Sequence, residues 1–193
     1  MKNSVIFLAN GFEEIEALTV VDVLRRANLK CDMCSIDDIK VTGSHGINIS
    51  ADLTISALIP EDYNCLILPG GMPGSKNLKE NEKVIGLVKS FNREGKLVAA
   101  LCAAPIVLKE ADIIEGKKIT SFPGVKSQLL GCKYQEEIVV QDDNLITSRG
   151  PATAMFFALK LVENLCSKEV SEKLAQDMLV DFVENKIGRD FNR

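Results

Sequence analysis

At 193 residues the chain suits one domain with a sizeable buried core. Its 27 acidic and 23 basic side chains leave a net charge of −4 with no Lys/Arg run, which argues against nucleic acid as a partner. No apolar run reaches membrane-spanning length, and six cysteines with no export-type leader point to reduced thiols and a cytoplasmic location.

Val5–Ala9 reads as a buried strand, turned by Asn10-Gly11 into a helix from about Glu13 to Asn28. Ile15, Leu18, Val21 and Leu24 give that helix an apolar face at helical spacing. Glu13, Glu14 and Glu16 crowd its first turns and Arg25 and Arg26 close its last, as the helix dipole favours. Glu16 falls at the Ile15 edge rather than squarely on the solvent side. Lys30–Ile36 is a second strand. Its Cys31 and Cys34 spell CxxC, but residues three apart on a strand point to opposite faces, so no redox pair is expected. Ile39–Ser50 alternates around Gly43 and Gly46 and predicts a hairpin at the sheet edge. It holds the sole histidine, His45. Any Cys–His dyad within one chain must therefore use it.

Cys65–Leu68 is a further buried strand running into Pro69-Gly70-Gly71-Met72-Pro73-Gly74. Such a turn leaves backbone N–H groups free to face a ligand, and its spacing is not that of a Walker loop. A helix follows through about Arg93, with Val84, Leu87, Val88 and Phe91 inward and Gly95 as its stop. Leu97–Leu101 is an unbroken apolar run, the pattern of a strand buried on both faces. It ends at Cys102, two alanines and Pro105, a helix-start residue. Strand, cysteine and helix with almost no loop make a nucleophile elbow. A thiol at a helix start is expected to have a lowered pKa. Lys118–Ser121 is a short strand. Glu137–Val140 and Leu145–Ser148 form a hairpin around Asp142-Asp143-Asn144. Arg149-Gly150-Pro151 leads into a helix to about Cys166, and a last helix, about Glu169–Asn185, carries Leu174, Met178 and Phe182. Cys31, Cys65, Cys132 and Cys166 read as packing or surface thiols.

Strands alternating with helices imply an α/β domain over residues 1–193: a doubly wound, mostly parallel sheet sandwiched by helices, with a small hairpin excursion. In such sheets ligands bind outside the carboxyl ends of the strands. Glu16 follows the first strand end, Gly70-Gly71 the third and Cys102 the fourth. A thiol, a carboxyl and the N–H groups of Gly71 and Ala103 would supply a nucleophile, a proton carrier and an oxyanion hole.

GFEEIEA, LILPGG, LVAALCAAP and TSRGPATA occur in this order along nearly the whole chain. Together they resemble the DJ-1/ThiJ/PfpI superfamily, and most its DJ-1 and YajL-like branch. The resemblance implies a flavodoxin-like fold, as in class I glutamine amidotransferases, with no cofactor and no metal. It implies that Cys102 is a reactive, oxidisable cysteine and Glu16 the protonated glutamate that bonds it, with Gly71 and Ala103 as the oxyanion amides. Arg26 and His45 fall where relatives place basic residues near the pocket, and Gly70, Gly150 and Pro151 are further candidate contacts. A homodimer through the helix carrying Glu16 and Arg26 is implied as well. Two departures argue against a Cys–His–acid triad, and so against protease or amidase chemistry: Ala103 stands where proteolytic relatives have histidine, and Phe122 precedes Pro123 where some relatives have histidine. Two readings use the same Cys102–Glu16 pair. One is cofactor-free turnover of 2-oxoaldehydes such as methylglyoxal to lactate, or of their early glycation adducts. The other is a redox-sensing stress protein or chaperone whose cysteine is oxidised to sulfinate.

Overall fold

The computed structural model describes residues 2–190. In chain order the elements are β1 (Ser4–Leu8), α1 (Glu14–Arg26), β2 (Cys31–Ser35), β3 (Lys40–Thr42), β4 (Asn48–Ser50), β5 (Leu53–Thr54), β6 (Cys65–Leu68), α2 (Gly74–Glu80), α3 (Glu82–Arg93), β7 (Leu97–Leu101), α4 (Pro105–Glu110), β8 (Lys118–Ile119), β9 (Lys133–Tyr134), β10 (Val139–Asp142), β11 (Leu145–Ser148), α5 (Ala154–Leu165), α6 (Lys168–Asp177) and α7 (Val180–Asp190). The main sheet has seven strands in the order β10-β11-β7-β6-β1-β2-β5. Every pairing in it is parallel except β10 with β11. This is the doubly wound, mostly parallel α/β architecture that the alternation of strands and helices predicts, and the flavodoxin-like fold that the resemblance implies.

Strands β1, β6 and β7 are continuous apolar runs because helices cover both faces of the sheet. Nearly every residue in them is fully buried. From β1 the chain moves outward to β2 and β5, then crosses back to β6 on the other side of β1. The strand order therefore reverses between β1 and β6, and a crevice opens at their carboxyl ends.

Several elements differ from their sequence readings. The buried side of α1 is Glu16, Ala17, Val20, Val21 and Leu24, with Ile15 57% exposed. The helix is rotated from the face anchored at Ile15, since Ala17-Val20-Val21-Leu24 also repeats at helical spacing and carries the carboxyl groups inward. The helix drawn through Arg93 is two, because Asn81 caps α3 by accepting from the Lys83 and Val84 N–H groups. The last helix is likewise divided, at Leu179 with φ +62°. Lys118–Ser121 shortens to β8, which pairs with β9 outside the main sheet. The predicted hairpin over 39–50 is β3 with β4, a separate two-stranded ribbon.

The loops after β1 and β6 interlock backbone to backbone. Glu13 N–H donates to Gly70 O at 3.0 Å and Gly74 N–H to Gly11 O at 3.1 Å. Gly71 has φ +89°, and a Cβ there would collide with Glu13 N and lie 2.6 Å from Gly11 O. Gly46 has a similar φ, +82°, but open space around it. Gly46→Ala is thus expected to cost only the left-handed conformation, about 1 kcal/mol. Gly71→Ala should cost at least twice that, because two backbones must also move apart. Urea unfolding of the two variants measures the difference.

Candidate active site

Cys102 continues β7, where its N–H donates to Ser148 O of the neighbouring β11 at 3.0 Å. It has φ +62°. Left-handed backbone at a residue with a side chain is strained by roughly 1–3 kcal/mol, and such strain gathers at functional elbows. It turns the thiol out of the strand direction into the crevice. The side chain is 8% exposed, with the N–H groups of Gly71 and Ala103 directed at its sulfur.

Glu16 arrives from the first turn of α1 and is fully buried. Glu13 holds that turn: its Oε2 accepts the Glu16 N–H at 2.7 Å. Glu16 Oε2 accepts the Gly70 N–H at 2.8 Å. Its Oε1 has no nitrogen or oxygen partner, and the Cys102 thiol is the group that interacts with the carboxyl. Gly70 is required here for space. A Cβ on it would collide with Glu16 Oε2 and come within 2.6 Å of Cys102 Cβ.

Burial pushes the Glu16 carboxyl up to about 7, against the hydrogen bonds from Cys102 and Gly70 that favour its anion. Cys102 is pushed up too, first by burial and then by the Glu16 charge and hydrogen bond; the two backbone N–H groups pull the other way. This corrects the lowered thiol pKa expected from a helix start. Cys102 lies three residues before Pro105, the first residue of the six-residue α4, and burial outweighs the dipole of so short a helix. A thiol and a carboxyl this close share one negative charge, so the pair loses its first proton near neutrality and its second far above.

His45 is elsewhere. Its Nδ1 lies 2.7 Å from Glu14 Oε2 and its backbone N–H donates to Glu14 Oε1 at 2.8 Å. Glu14 holds the tip of the β3–β4 ribbon against α1. Burial pushes Glu14 up, but the His45 hydrogen bonds outweigh it and bring it to about 2. His45 is raised in turn, by its hydrogen bond to Glu14. Among the described residues, Glu13, Glu14 and His45 form a group compact enough for a metal ion, with ligand atoms within 4.8 Å of one another. Both Glu14 oxygens already accept hydrogen bonds from the ribbon, so the cluster reads as an ion pair plus a helix cap. Arg26 stands at the far end of α1, bonded to Asp22 at 2.7 Å and lining a groove with Cys166 and Lys173. Within one chain it is not part of the Cys102 cluster. Pro151 and Ile47 share a cavity of about 390 Å³ with Glu13, Glu14, Ile15 and His45. Gly150 is fixed by its N–H to Thr153 Oγ1 bond of 3.0 Å.

The sequence reading missed Glu13 and Glu14 as individual residues, because three glutamates in a first turn look alike. The signal was spacing: Glu13 to Glu16 is the cap-to-third-residue interval. Cys31 and Cys34 are both free, and burial pushes them up to about 11 and about 12.

The raised Glu16 pKa fixes a sign. From 4.5 to about 7 the folded chain binds more protons at this site than the unfolded chain, so the site's contribution to stability falls as pH rises through that window. The full loss is about 3 kcal/mol. Glu16→Gln should remove it, so the variant gains on wild type by that amount between pH 4 and pH 8 in chemical unfolding. Alkylation of Cys102 by iodoacetamide should show a rate inflection near pH 7 in wild type and none in Glu16→Gln.

The sequence profile of the DJ-1/PfpI family matches residues 2–164. Protein dj-1beta of Drosophila melanogaster is 38% identical over 184 residues, covering 94% of this chain and 98% of that protein. Deglycase PH1704 of Pyrococcus horikoshii is 34% identical over 151 residues, 77% of this chain and 90% of its own. The solved structure of oxidised Toxoplasma gondii DJ-1 superposes with a TM-score of 0.89 at 35% identity, covering 93% of this chain and 98% of that one. The chain with this buried thiol–carboxyl pair belongs to the DJ-1/PfpI family.

Proposed function

We propose that the protein is a cofactor-free, cysteine-dependent enzyme acting on reactive 2-oxoaldehydes or their early glycation adducts. The observation that carries this reading is the burial of Glu16 against Cys102, with two backbone N–H groups directed at the sulfur. A carboxyl titrating near 7 exchanges protons at physiological pH. In the ionised pair, Glu16 takes the thiol proton and the sulfur adds to the aldehyde carbon of methylglyoxal. The hemithioacetal oxygen takes charge beside the Gly71 and Ala103 N–H groups. Glu16 returns the thiol proton to this oxygen, then removes the C1 proton and delivers it to C2, while the hydroxyl proton on the C1 oxygen passes to the C2 oxygen, leaving a lactoyl thioester. Water cleaves it, releasing lactate and the free thiol. A glycation adduct would enter when the sulfur displaces the adduct's amine or thiol from the carbinol carbon, the leaving group taking the proton from Glu16, which gives the same hemithioacetal. The match to a relative described as a deglycase supports that branch.

His45 is engaged by Glu14, so one group carries the proton transfers. Such a group contributes on the order of 100- to 10,000-fold, and turnover is expected to be slow. Purified protein without metal or glutathione should convert methylglyoxal to lactate. Cys102→Ala should abolish this, since no hemithioacetal can form, and Glu16→Gln should reduce it at least about 100-fold. His45→Ala should change it only a few-fold. Lactate measured enzymatically decides. Absent turnover together with ready oxidation of Cys102 to sulfinate would favour the redox-sensing reading instead.

We propose also that the chain forms a homodimer through α1. Ile15 and Ile47 support this: they are 57% and 52% exposed and flank the same cavity. Sedimentation velocity should find a dimer that Ile15→Asp converts to monomer.

A further inference from the structure

Phe122 is among the exposed large apolar side chains, at 48% of its surface. Its backbone N–H donates to the carbonyl of Cys102 itself at 2.8 Å, which fixes the residue beside the elbow. The ring is confined. A Cβ built on Gly124 would lie 3.2 Å from its Cε1, and one on Gly150 3.8 Å from its Cδ2. Gly124 leaves room for the ring, whose other edge lies beside Gly150 at the Gly150-Pro151 corner. Thr153 fixes that corner, its Oγ1 accepting from the Gly150 N–H and donating to Gly150 O at 2.9 Å.

A molecule attached to Cys102 has few directions open to it. Glu16 and Gly70 close one side, where even a methyl group on Gly70 would collide. The Gly71 and Ala103 N–H groups take the developing oxyanion. The substituent that does not react must leave toward the solvent edge. Phe122 is an exposed apolar side chain whose backbone N–H is bonded to the elbow carbonyl and whose ring lies beside Gly150.

We infer that Phe122 is the specificity-determining residue of this site, and that its ring packs against the non-reacting substituent so that aryl 2-oxoaldehydes are preferred over unsubstituted glyoxal. The inference rests on the catalytic reading above for its substrates, but the packing itself does not need turnover. An aromatic ring offers a face or edge to a second ring and excludes water from it. Glyoxal carries no group to reach it.

Two measurements on the full chain separate the inference from the catalytic reading. The first is kcat/KM for glyoxal, methylglyoxal and phenylglyoxal in wild type, Phe122→Ala and Phe122→Leu. Phe122→Ala should lose about tenfold on phenylglyoxal, the scale of one aromatic contact, and less than about twofold on glyoxal. Phe122→Leu, which keeps apolar bulk, should fall between. The second is the rate of Cys102 alkylation by N-benzyl iodoacetamide relative to iodoacetamide, read by peptide mass spectrometry, with the exposed Cys166 of the same chain as internal reference. Wild type should favour the benzyl reagent at Cys102 over Cys166, and Phe122→Ala should erase the preference. If no aldehyde is turned over but the labelling preference vanishes in Phe122→Ala, the catalytic reading falls and the aromatic wall stands. If aldehydes are turned over but substrate order and labelling ratio are unchanged in Phe122→Ala, the wall is overturned and catalysis stands. An equal loss on all three substrates with an unchanged labelling ratio also overturns it, because that reports a displaced elbow rather than a lost contact.

Discussion

The buried carboxyl of Glu16 constrains everything around it. A carboxyl taken wholly out of water must be neutral or bonded on every side. Here one oxygen takes the Gly70 N–H, the other has no hydrogen-bond partner, and the Cys102 thiol interacts with the carboxyl. That arrangement needs α1 to begin where it does, which Glu13 secures from the cap position. It needs glycine at 70, since any side chain there would strike both members of the pair. It also needs Cys102 in a left-handed conformation, which the β7 and β11 pairing holds in place. Three loops thus meet on one proton.

The same constraint sets the electrostatics. The pocket tolerates one negative charge, and two backbone N–H groups stabilise it on sulfur while the Gly70 N–H stabilises it on the carboxyl. The carboxyl gives up its proton near neutrality while the thiol keeps its own to higher pH, so the ionised pair is a carboxylate beside a thiol, a base placed to take the thiol proton. Polar residues nearby are occupied with structure instead. Glu14 spends both oxygens on the ribbon that carries His45, and so takes the one imidazole out of play as a general base.

Two neighbouring glutamates show how far one-dimensional reading reaches. Glu14 and Glu16 both sit in the first turn of α1 and both are buried, yet one titrates near 2 and the other near 7. The difference lies in what meets them from distant sequence. Glu14 meets a hydroxyl, two N–H donors and an imidazole from residues 44–47. Glu16 meets a single N–H from residue 70 and a thiol.

The sequence by itself determined the elements that depend on local chemistry. Unbroken apolar runs mark β1, β6 and β7 as central strands, a small-residue run before Pro105 marks the elbow, and glycines mark the turn after β6. Because these features follow strand ends in an alternating α/β chain, their convergence on one edge was legible as well. Tertiary structure alone decided the rest. The inward face of α1 was set by a buried carboxyl with a distant N–H partner, against an equally periodic alternative through Ile15. The thiol pKa went up rather than down, because desolvation depends on what surrounds the sulfur in space and a helix start is only one of its neighbours. The place of His45 was fixed by an ion pair spanning 31 residues. That pairing involves groups far apart in the chain, and no local pattern encodes it.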